Sequence, residues 1–470
     1  MENGKWKMEN KGIFKKALWL CVVVMSLFSV GVFAQKEKPP VGGQPKPFVF
    51  PAQENMTLPN GMKVTLVQYG SVPKVAFQAT IYTGTKDDAK GKKGVSDTVA
   101  QMLKEGTKTR SAGQIARETA EMGGYLNVGA GTDSTNISGE VLSEFDVKFL
   151  DLMADVMLNP NFKADDLERI RANKLRQLAL AKTQAGTLAW EKFRATIFAN
   201  HPYGQINPTE DEVKGYTLDE VKSFYNANYG AAKTHLYIVG QFNASAIKDA
   251  IGKAFAGWQK GTPLTRNAPT GTAKNSLAKI DRPDAPQSTI YLGMPAPNPA
   301  DADFAKFVVM DSLLGGSFGS RITANIRENK GYTYSPNSFL WNRYKTGYWI
   351  ENADVTTEST GASIKEILYE INRLKSEPVT EAELQGIKNY MVGLYVLQNS
   401  TRFGVINQLE TMNYYEMDKS YIDNYVKKIV AVNAKDIQDM AKKYLTEDKM
   451  TIVVVGDLKK INDQLKPYEK

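Results

Sequence analysis

Apolar positions along this chain repeat with two different periods, which predicts a mixture of strands and helices. Alternating or continuous apolar runs, typical of strands, occupy residues 75–81, 288–293 and 451–455. Apolar residues at helical spacing lie between such runs, as in a helix predicted to begin near Ala164 and to continue through Leu178. Because helices and strands are interspersed, each part of the chain should form a sheet with helices packed on it.

The same succession of elements occurs twice, which indicates an internal duplication. In each half an amphipathic helix leads into a buried strand, which ends at Gly240 in the first half and at Gly456 in the second. These glycines are 216 residues apart (456 − 240), and a second pair of similar segments, ending at Leu167 and Leu384, gives 217 (384 − 167). Helix–strand units recur in many α/β chains, but two agreeing offsets make chance similarity a poor explanation.

Length and local composition place the boundary between the halves. A chain of 470 residues is too long for a single core. The segment between the halves, from 261 to 284, is rich in Thr, Pro, Asn, Gly and Lys, as expected for a linker. We therefore predict one domain at 48–260, a linker at 261–279 and a second domain at 280–470.

The N-terminus has the pattern of a secretory signal. Basic residues end at Lys16, an apolar run spans 17–33, and a small-residue cleavage site follows at Ala34. We predict a signal peptide at 1–34, followed by a flexible tether at 35–47, and export to the periplasm or the exterior. The alternative is that the apolar run is kept as a membrane anchor, although polar and small residues interrupt it. We expect no stable anchor.

Composition excludes several classes of function. The formal net charge is +8, of which residues 1–34 supply +3, and the remaining surplus is too small and dispersed to predict nucleic-acid binding. Cys21 is the only cysteine, so a cleaved chain could form no disulfide and use no thiolate. His201 and His235 are the only histidines, and they do not have the spacing of a metal-ligand pair.

The segment from Gly94 to Thr107 is predicted to be a helix on which Asp97, Ala100 and Gln101 share one face. The segment resembles the zinc-binding helix of the pitrilysin/insulinase (inverzincin) metallopeptidases, which carries His-x-x-Glu-His between a leading Gly and a trailing Gly-Thr. Aligning those flanks places these three residues at the catalytic positions. Asp97 could ligate through oxygen, Gln101 is a poor ligand, and Ala100 cannot act as a base.

The family's remaining zinc ligand is a Glu on a later helix. By resemblance it falls near residues 176–178 of this chain, which are Arg-Gln-Leu. The resemblance therefore implies the scaffold of a zinc peptidase in a chain that binds no zinc and has no catalytic residue of its own.

The resemblance is sharper in the second half. A glycine-rich entry begins at Gly315, a helix is predicted to end near Asn329, and Gly331 suits its C-terminal cap. The family carries an Arg near the end of this helix and a Tyr seven residues later, which contact the substrate backbone, and Arg327 and Tyr334 match that pair. Such donors could hold a peptide carbonyl. The alternative is an ordinary helix-end cation beside an ordinary strand aromatic.

A third candidate for substrate binding is Asn127. The segment from Gly123 to Asn127 resembles the family's glycine-led edge strand, where a peptide docks by β-augmentation and an Asn meets its backbone. The alternative is that this Asn beside glycines belongs only to a turn.

The resemblance covers nearly all of the mature chain. It implies an α+β fold of two homologous domains, each a largely antiparallel sheet with helices packed on it, facing each other as a clamshell. Some bacterial members of the family divide labour between two chains, one with the zinc motif and one with the Arg/Tyr pair.

The sequence has the profile of the second kind of chain. It therefore predicts a non-catalytic, substrate-binding subunit of a heteromeric zinc metallopeptidase, with peptides as substrates and with zinc and the general base in a homologous partner. Alternatives are a structural or binding protein with no role in proteolysis, and an autonomous peptidase with an unusual metal site.

Overall fold

The computed structural model describes residues 49–469, with the exception of Asn200, Asn267, Thr270, Thr272 and Ala273. The predicted signal peptide at 1–34 and the tether at 35–47 lie outside the described residues. Within the described part of the chain, no helix combines the length and the apolar character needed to span a membrane.

The first half alternates strands and helices as its apolar pattern predicts. Its strands are β1 (Glu54–Thr57), β2 (Lys63–Gln68), β3 (Lys74–Ile81), β4 (Tyr125–Ala130), β5 (Thr135–Leu142) and β6 (Thr234–Gly240). Its helices are α1 (Val95–Leu103), α2 (Ala112–Glu121), α3 (Asp146–Leu158), α4 (Ala164–Ala181), α5 (Ala185–Ile197), α6 (Glu210–Lys214), α7 (Leu218–Asn228) and α8 (Ala244–Phe255).

The second half follows the same plan. Its strands are β7 (Ser276–Asp281), β8 (Gln287–Pro295), β9 (Asn337–Arg343), β10 (Thr346–Thr356) and β11 (Thr451–Gly456). Its helices are α9 (Phe304–Asp311), α10 (Thr360–Ser376), α11 (Glu381–Gln398), α12 (Arg402–Tyr414), α13 (Ser420–Ala431), α14 (Ala434–Tyr444) and α15 (Leu458–Leu465), with π-helical turns at Ser312–Gly316 and Thr323–Asn329. The second sheet begins at Ser276, inside the segment 261–279 that we predicted as linker, because β7 pairs with β11.

The two sheets share one strand order. The first is β1-β2-β6-β3-β5-β4 and the second is β7-β11-β8-β10-β9. In both, one pair is parallel, β2 with β6 and β7 with β11, and the other pairs are antiparallel. Apart from β1, the orders correspond strand by strand. The predicted α+β class, with two homologous and largely antiparallel halves, is confirmed.

Close packing explains the two glycines that reveal the duplication. A Cβ on Gly240, whose φ is +150°, would lie 2.2 Å from the backbone oxygen of Lys74, on the neighbouring strand β3. A Cβ on Gly456 would lie 2.5 Å from the hydroxyl oxygen of Ser288, on β8, which is the equivalent strand. Glycine is required at the end of β6, where the contact is with backbone and φ is positive. At the end of β11 a larger residue would have to displace the side chain of Ser288.

Each sheet is covered on one face by helices of its own half. In the first half, Val99 of α1 and Phe149 of α3 belong to one core with Phe77 of β3. In the second half, Ile367 of α10 belongs to one core with Leu292 of β8. These cores follow from the helical and alternating apolar spacings of the sequence.

The opposite face of each sheet is covered by a helix of the other half. Phe193 of α5, a first-half helix, packs in one cluster with Val453 of the second sheet. Leu409 of α12, a second-half helix, packs in one cluster with Tyr237 of the first sheet. The two helices begin 217 residues apart (402 − 185), so they are equivalent in the duplication. The two halves therefore face each other across a reciprocal exchange of helices.

Polar contacts reinforce this exchange. The carboxylate of Glu410 on α12 accepts hydrogen bonds from Gln78 at 2.8 Å and from Thr80 at 3.0 Å, both on β3. At the start of α12, Nε of Arg402 donates to Oε2 of Glu140 on β5 at 2.9 Å. Burial of these groups behind α12 fixes the register of the helix on the first sheet.

Candidate functional site

The residues that the family resemblance aligns with the zinc motif lie on α1, which forms where the sequence predicted a helix. Gly94, with φ +90°, precedes the helix. Asp97 and Gln101 lie on one face, and Nε2 of Gln101 donates to Oδ2 of Asp97 at 2.8 Å. Ala100 is fully buried and brings no polar atom to the site. The structure therefore brings Asp97 and Gln101 together as a hydrogen-bonded pair.

A lysine that the sequence analysis missed completes this cluster. The ammonium group of Lys174, on α4, contacts Oδ2 of Asp97, and the lysine is only 7% exposed. Its position could have identified it from the sequence. Lys174 lies four residues after Ile170 and four before Leu178, on the apolar stripe of α4. A cation at a core-facing position needs a partner, because an unpaired buried charge is costly.

The predicted region of the third zinc ligand adjoins the same cluster. Gln177 and Leu178 line a cavity of about 250 Å³ together with Asp97 and Lys174. Arg176 instead donates to Asn173 on its own helix. Residues 176–178 therefore bring no carboxylate to the site.

These residues do not fit a zinc ion. Zinc sites in peptidases use three nitrogen, sulfur or carboxylate ligands, but Asp97 is the one carboxylate here and it is already paired with Lys174. His201 accepts a hydrogen bond from the backbone of Tyr203, and His235 lies in β6, where burial lowers its pKa to about 3. Within the described residues, no group of three or more His, Cys, Asp or Glu side chains is placed to hold a metal.

The structure also brings Arg327 and Tyr334 together. The guanidinium carbon of Arg327 lies 4.9 Å from the ring centre of Tyr334 and 4.4 Å from that of Phe318. Both rings are largely exposed, Tyr334 at 80% and Phe318 at 75%. Nε of Arg327 also lies 3.3 Å from a carboxylate oxygen of Glu328. The arginine is thus held between two aromatic rings at the protein surface.

The backbone around Arg327 follows the sequence prediction closely. The π-helical turn Thr323–Asn329 ends at the predicted residue, and Gly331 adopts the left-handed conformation, with φ +65°. The backbone N–H of Gly331 donates to the carbonyl of Arg327 at 3.1 Å, which closes the helix end. This turn directs the chain back so that Tyr334 reaches the arginine.

Asn127 lies on β4, which is the edge strand of the first sheet and is exposed at that residue. Gly124 immediately precedes this strand. A Cβ on Gly124 would lie 2.0 Å from the backbone oxygen of Glu140, so the close packing of β4 on β5 leaves no room for a side chain there. Asn127 does not line the cavity beside Arg327 and Tyr334. The structure therefore does not bring all three predicted substrate-binding residues into one pocket.

Comparison with known protein families accounts for this geometry. Residues 63–208 match the family described as Insulinase (Peptidase family M16), and residues 215–391 match the description Peptidase M16 inactive domain. The chain belongs to the insulinase family, M16. The family resemblance stated from the sequence is thereby confirmed. The match to the inactive domain begins in the first half, before β6, and ends within α11 of the second half.

Individual M16 relatives agree with this assignment. A Bacillus subtilis protein named uncharacterized zinc protease YmxG is 23% identical over 401 residues, covering 83% of this chain and 95% of its own. A Helicobacter pylori protein named non-peptidase homolog YmxG is 25% identical over 377 residues, covering 79% and 86%. The crystal structure of a peptidase M16 inactive domain from Pseudomonas fluorescens has the same fold, with a TM-score of 0.80, 24% identity, and coverage of 86% and 98%.

Two buried acids, also missed from the sequence, support the glycine-rich loop that precedes Arg327. A Cβ on Gly315 would lie 2.5 Å from Oε2 of Glu351, and a Cβ on Gly316 would lie 2.7 Å from Oδ2 of Asp311. Asp311 accepts hydrogen bonds from Ser338 at 2.5 Å and from Trp349 at 2.8 Å. The loop therefore rests directly on these carboxyl groups.

Burial changes the titration of both acids. Burial raises the pKa of Asp311 to about 6, and its two hydrogen bonds partly oppose this rise. Burial, followed by the nearby Asp311, holds the pKa of Glu351 well above its ordinary value. A backbone hydrogen bond from Asn337 acts against this rise in the pKa of Glu351 but is the weaker effect. A neutral Glu351 is the form that this environment favours.

Proposed function

We propose that this chain is the exported, non-catalytic, substrate-binding subunit of a heteromeric zinc metallopeptidase that acts on peptides. A homologous M16 partner would supply the zinc and the general base, and this chain would supply Arg327 and Tyr334. Export would follow from the signal pattern at 1–34.

One contrast supports the proposal: the residues aligned with the zinc motif do not fit a metal, whereas the pair aligned with the family's substrate-binding residues is present and close together. On the first side, Lys174 neutralises Asp97, and Ala100 stands at the position of the general base. On the other side, Arg327 and Tyr334 remain paired and accessible to a ligand. Loss of both sides would be expected of a purely structural relative.

The chemistry of Arg327 and Tyr334 suits a peptide bond. A guanidinium group and a phenol hydroxyl donate hydrogen bonds to a carbonyl, and donors held in place stabilise the oxyanion that forms when water attacks. The two aromatic rings hold the guanidinium in place before substrate arrives.

Reconstitution tests this function. The purified chain is mixed with a zinc-bearing M16 relative from the same source, and peptide cleavage is measured against either chain alone. We expect activity only from the mixture, and Arg327→Ala should lower kcat/KM by about tenfold to a hundredfold without preventing association. Arg117→Ala, which removes an exposed arginine of α2, is the matched control. Cleavage by this chain alone, or no gain on mixing, would contradict the proposal.

The alternative is a binding or scaffold protein with no role in proteolysis, which the name of the Helicobacter pylori relative, a non-peptidase homolog, favours. Under that alternative Arg327→Ala and Tyr334→Phe leave the activity of any complex unchanged. The same reconstitution therefore separates the two functions.

Export is tested separately from activity. We expect the mature protein to be found outside the cytoplasm with its N-terminus near Gln35, as determined by mass spectrometry of the fractionated cells. Recovery of the full-length chain in the membrane fraction would favour the retained anchor instead.

A further inference from the structure

Helix α11 has an exposed apolar side that its own core does not use. Tyr390, Leu394 and Leu397 are 50%, 37% and 67% exposed, and their spacing places them together on the helix. The buried side of the same helix carries residues such as Leu384 and Met391, which belong to the core of the second half. The buried apolar stripe is therefore enough to hold α11 on the core. The exposed apolar stripe is not needed for folding, which indicates a role in binding.

Two glycines lie on the exposed side, between the apolar residues. A Cβ on Gly386 or on Gly393 would meet no atom within 4 Å, so packing inside this chain does not require glycine at either position. Glycine in the interior of a helix lowers its stability relative to alanine. The glycines do leave the helix backbone accessible beside Tyr390 and Leu397, so that another backbone can approach closely. We call the set Gly386, Tyr390, Gly393, Leu394 and Leu397 the α11 face.

The α11 face continues into the cavity beside Arg327. Tyr390 lines this cavity together with Phe318, Tyr334 and Arg327, and its volume is about 410 Å³. That volume falls within the range of about 300–1,000 Å³ typical of ligand pockets. Among the described residues that line the cavity, Arg327 is the one charged group.

An ion pair holds the cavity and the helix in a fixed relation. Arg321, in the helical segment that carries Arg327, donates to both carboxylate oxygens of Glu383 on α11, at 2.7 and 2.9 Å. Such bidentate contacts fix orientation as well as distance. The Arg327 cavity and the α11 face therefore form one continuous surface with a positive charge at one end and apolar groups along it.

We propose that the α11 face binds the apolar side chains of an extended peptide whose backbone is held at Arg327 and Tyr334. This inference rests on the proposed function and adds the substrate class, which is peptides with large apolar residues at alternate positions. The spacing agrees, because residues four apart on a helix rise by about 6 Å, and alternate side chains of an extended peptide repeat at roughly 6.6 Å.

The size of the surface favours a peptide over a folded partner. A stable protein interface needs roughly 20–30 residues on each side. The α11 face and the cavity offer a narrow track that is apolar along α11 and has the donors Arg327 and Tyr334 at its end. A single strand of peptide fits such a track, since its carbonyls accept from Arg327 while its side chains lie on α11.

Peptide binding to the purified full chain tests the inference without any partner. The probes are two fluorescent peptides of about ten residues and equal net charge, one with Leu and the other with Ser at alternate positions. Fluorescence anisotropy should show the Leu peptide binding about tenfold or more tightly. The variant Leu394→Ser/Leu397→Ser should abolish that preference by weakening the Leu peptide alone. Leu180→Ser is the matched control, because Leu180 is 62% exposed at the equivalent position of α4, and it should change nothing.

The variants distinguish failure of this inference from failure of the proposed function. Arg327→Ala should weaken both peptides equally, since it acts on the backbone. If it does so while Leu394→Ser/Leu397→Ser keeps the preference for Leu, the α11 face is not the apolar site and the role of Arg327 stands. If the double variant instead alters only self-association or association with another chain in sedimentation, the face is a protein interface and the inference is wrong. Binding of neither peptide to the wild-type chain would count against both.

Discussion

The ammonium group of Lys174 contacts the carboxylate of Asp97 and joins α4 to α1 at a position that the family resemblance aligns with the zinc motif. Gln101 donates to the same oxygen of Asp97. The cation at this place is therefore part of the chain itself. Unlike a metal ion, a lysine ammonium has no open coordination position and cannot activate water.

Replacing Lys174 should destabilise the fold. Lys174→Met leaves the Asp97 carboxylate without its cation, although the side chain of Asp97 is 33% exposed and can be partly hydrated. We expect the free energy of unfolding to fall by about 1–3 kcal/mol, measured by denaturant titration. Lys182→Met is the control, because Lys182 and Glu210 form an ion pair on the surface, where a loss below about 1 kcal/mol is expected. Equal effects of the two substitutions would show that the Lys174 pair has no special role.

Removal of metal should leave the chain unchanged. With Lys174 beside Asp97, we expect the same Tm in the presence of a chelator and of added zinc, by thermal denaturation. The variant Asp97→His/Gln101→His/Lys174→Met places two histidines four residues apart and removes the competing cation, so its Tm should rise with zinc. A zinc-dependent Tm in the wild-type chain would contradict this reading of the site.

The fold and part of the site could be predicted because their signals are local. Apolar periodicity predicted α4 and β11, and the spacing of Gly240 and Gly456 revealed the duplication. Both glycines lie at strand ends that pack closely against a neighbouring strand. The pair Arg327 and Tyr334 was expected from the family resemblance, and a helix end followed by a glycine cap brings the two side chains together. Each of these features is fixed by residues near one another in sequence.

The remaining features depend on contacts between distant residues. An amphipathic pattern shows that one face of a helix is buried but not which sheet covers it, so the exchange of α5 and α12 could not be predicted. The contact between Lys174 and Asp97 also joins two separate helices. The exposed glycines of α11 likewise have no meaning until the structure shows that nothing packs on them.

The exchange of helices should make the two halves unfold together. Leu409 of α12 is fully buried against the first sheet, so Leu409→Ala should lower the free energy of unfolding by about 2–5 kcal/mol. Because each sheet loses its cover when the other half unfolds, we expect one transition, followed in parallel by circular dichroism and tryptophan fluorescence. Leu397→Ala, on the exposed side of α11, is the control and should have little effect. Two separate transitions would show that the halves are independent.

Glu351 should make stability fall as the pH rises. In the unfolded chain its carboxyl ionises near the ordinary pKa of 4.5, whereas burial raises the pKa in the folded state. The folded state therefore holds more protons between these two values, and the stabilisation present below pH 4.5 is lost as the pH increases toward the folded pKa.

The variant Glu351→Gln keeps the size and shape of the side chain but replaces the carboxyl group with an amide that cannot ionise. We expect this variant to be more stable than the wild-type chain by roughly 2 kcal/mol at neutral pH, with the difference shrinking as the pH approaches 4.5. Asp311 is the charged group that faces Glu351, and its own pKa of about 6 adds to the same trend. Glu370→Gln is the control: Glu370 is also buried but accepts from Asn325 at 2.8 Å, so its substitution should destabilise at neutral pH. A Glu351→Gln chain that loses stability at pH 7 would show that the carboxylate is ionised and paired in the folded protein.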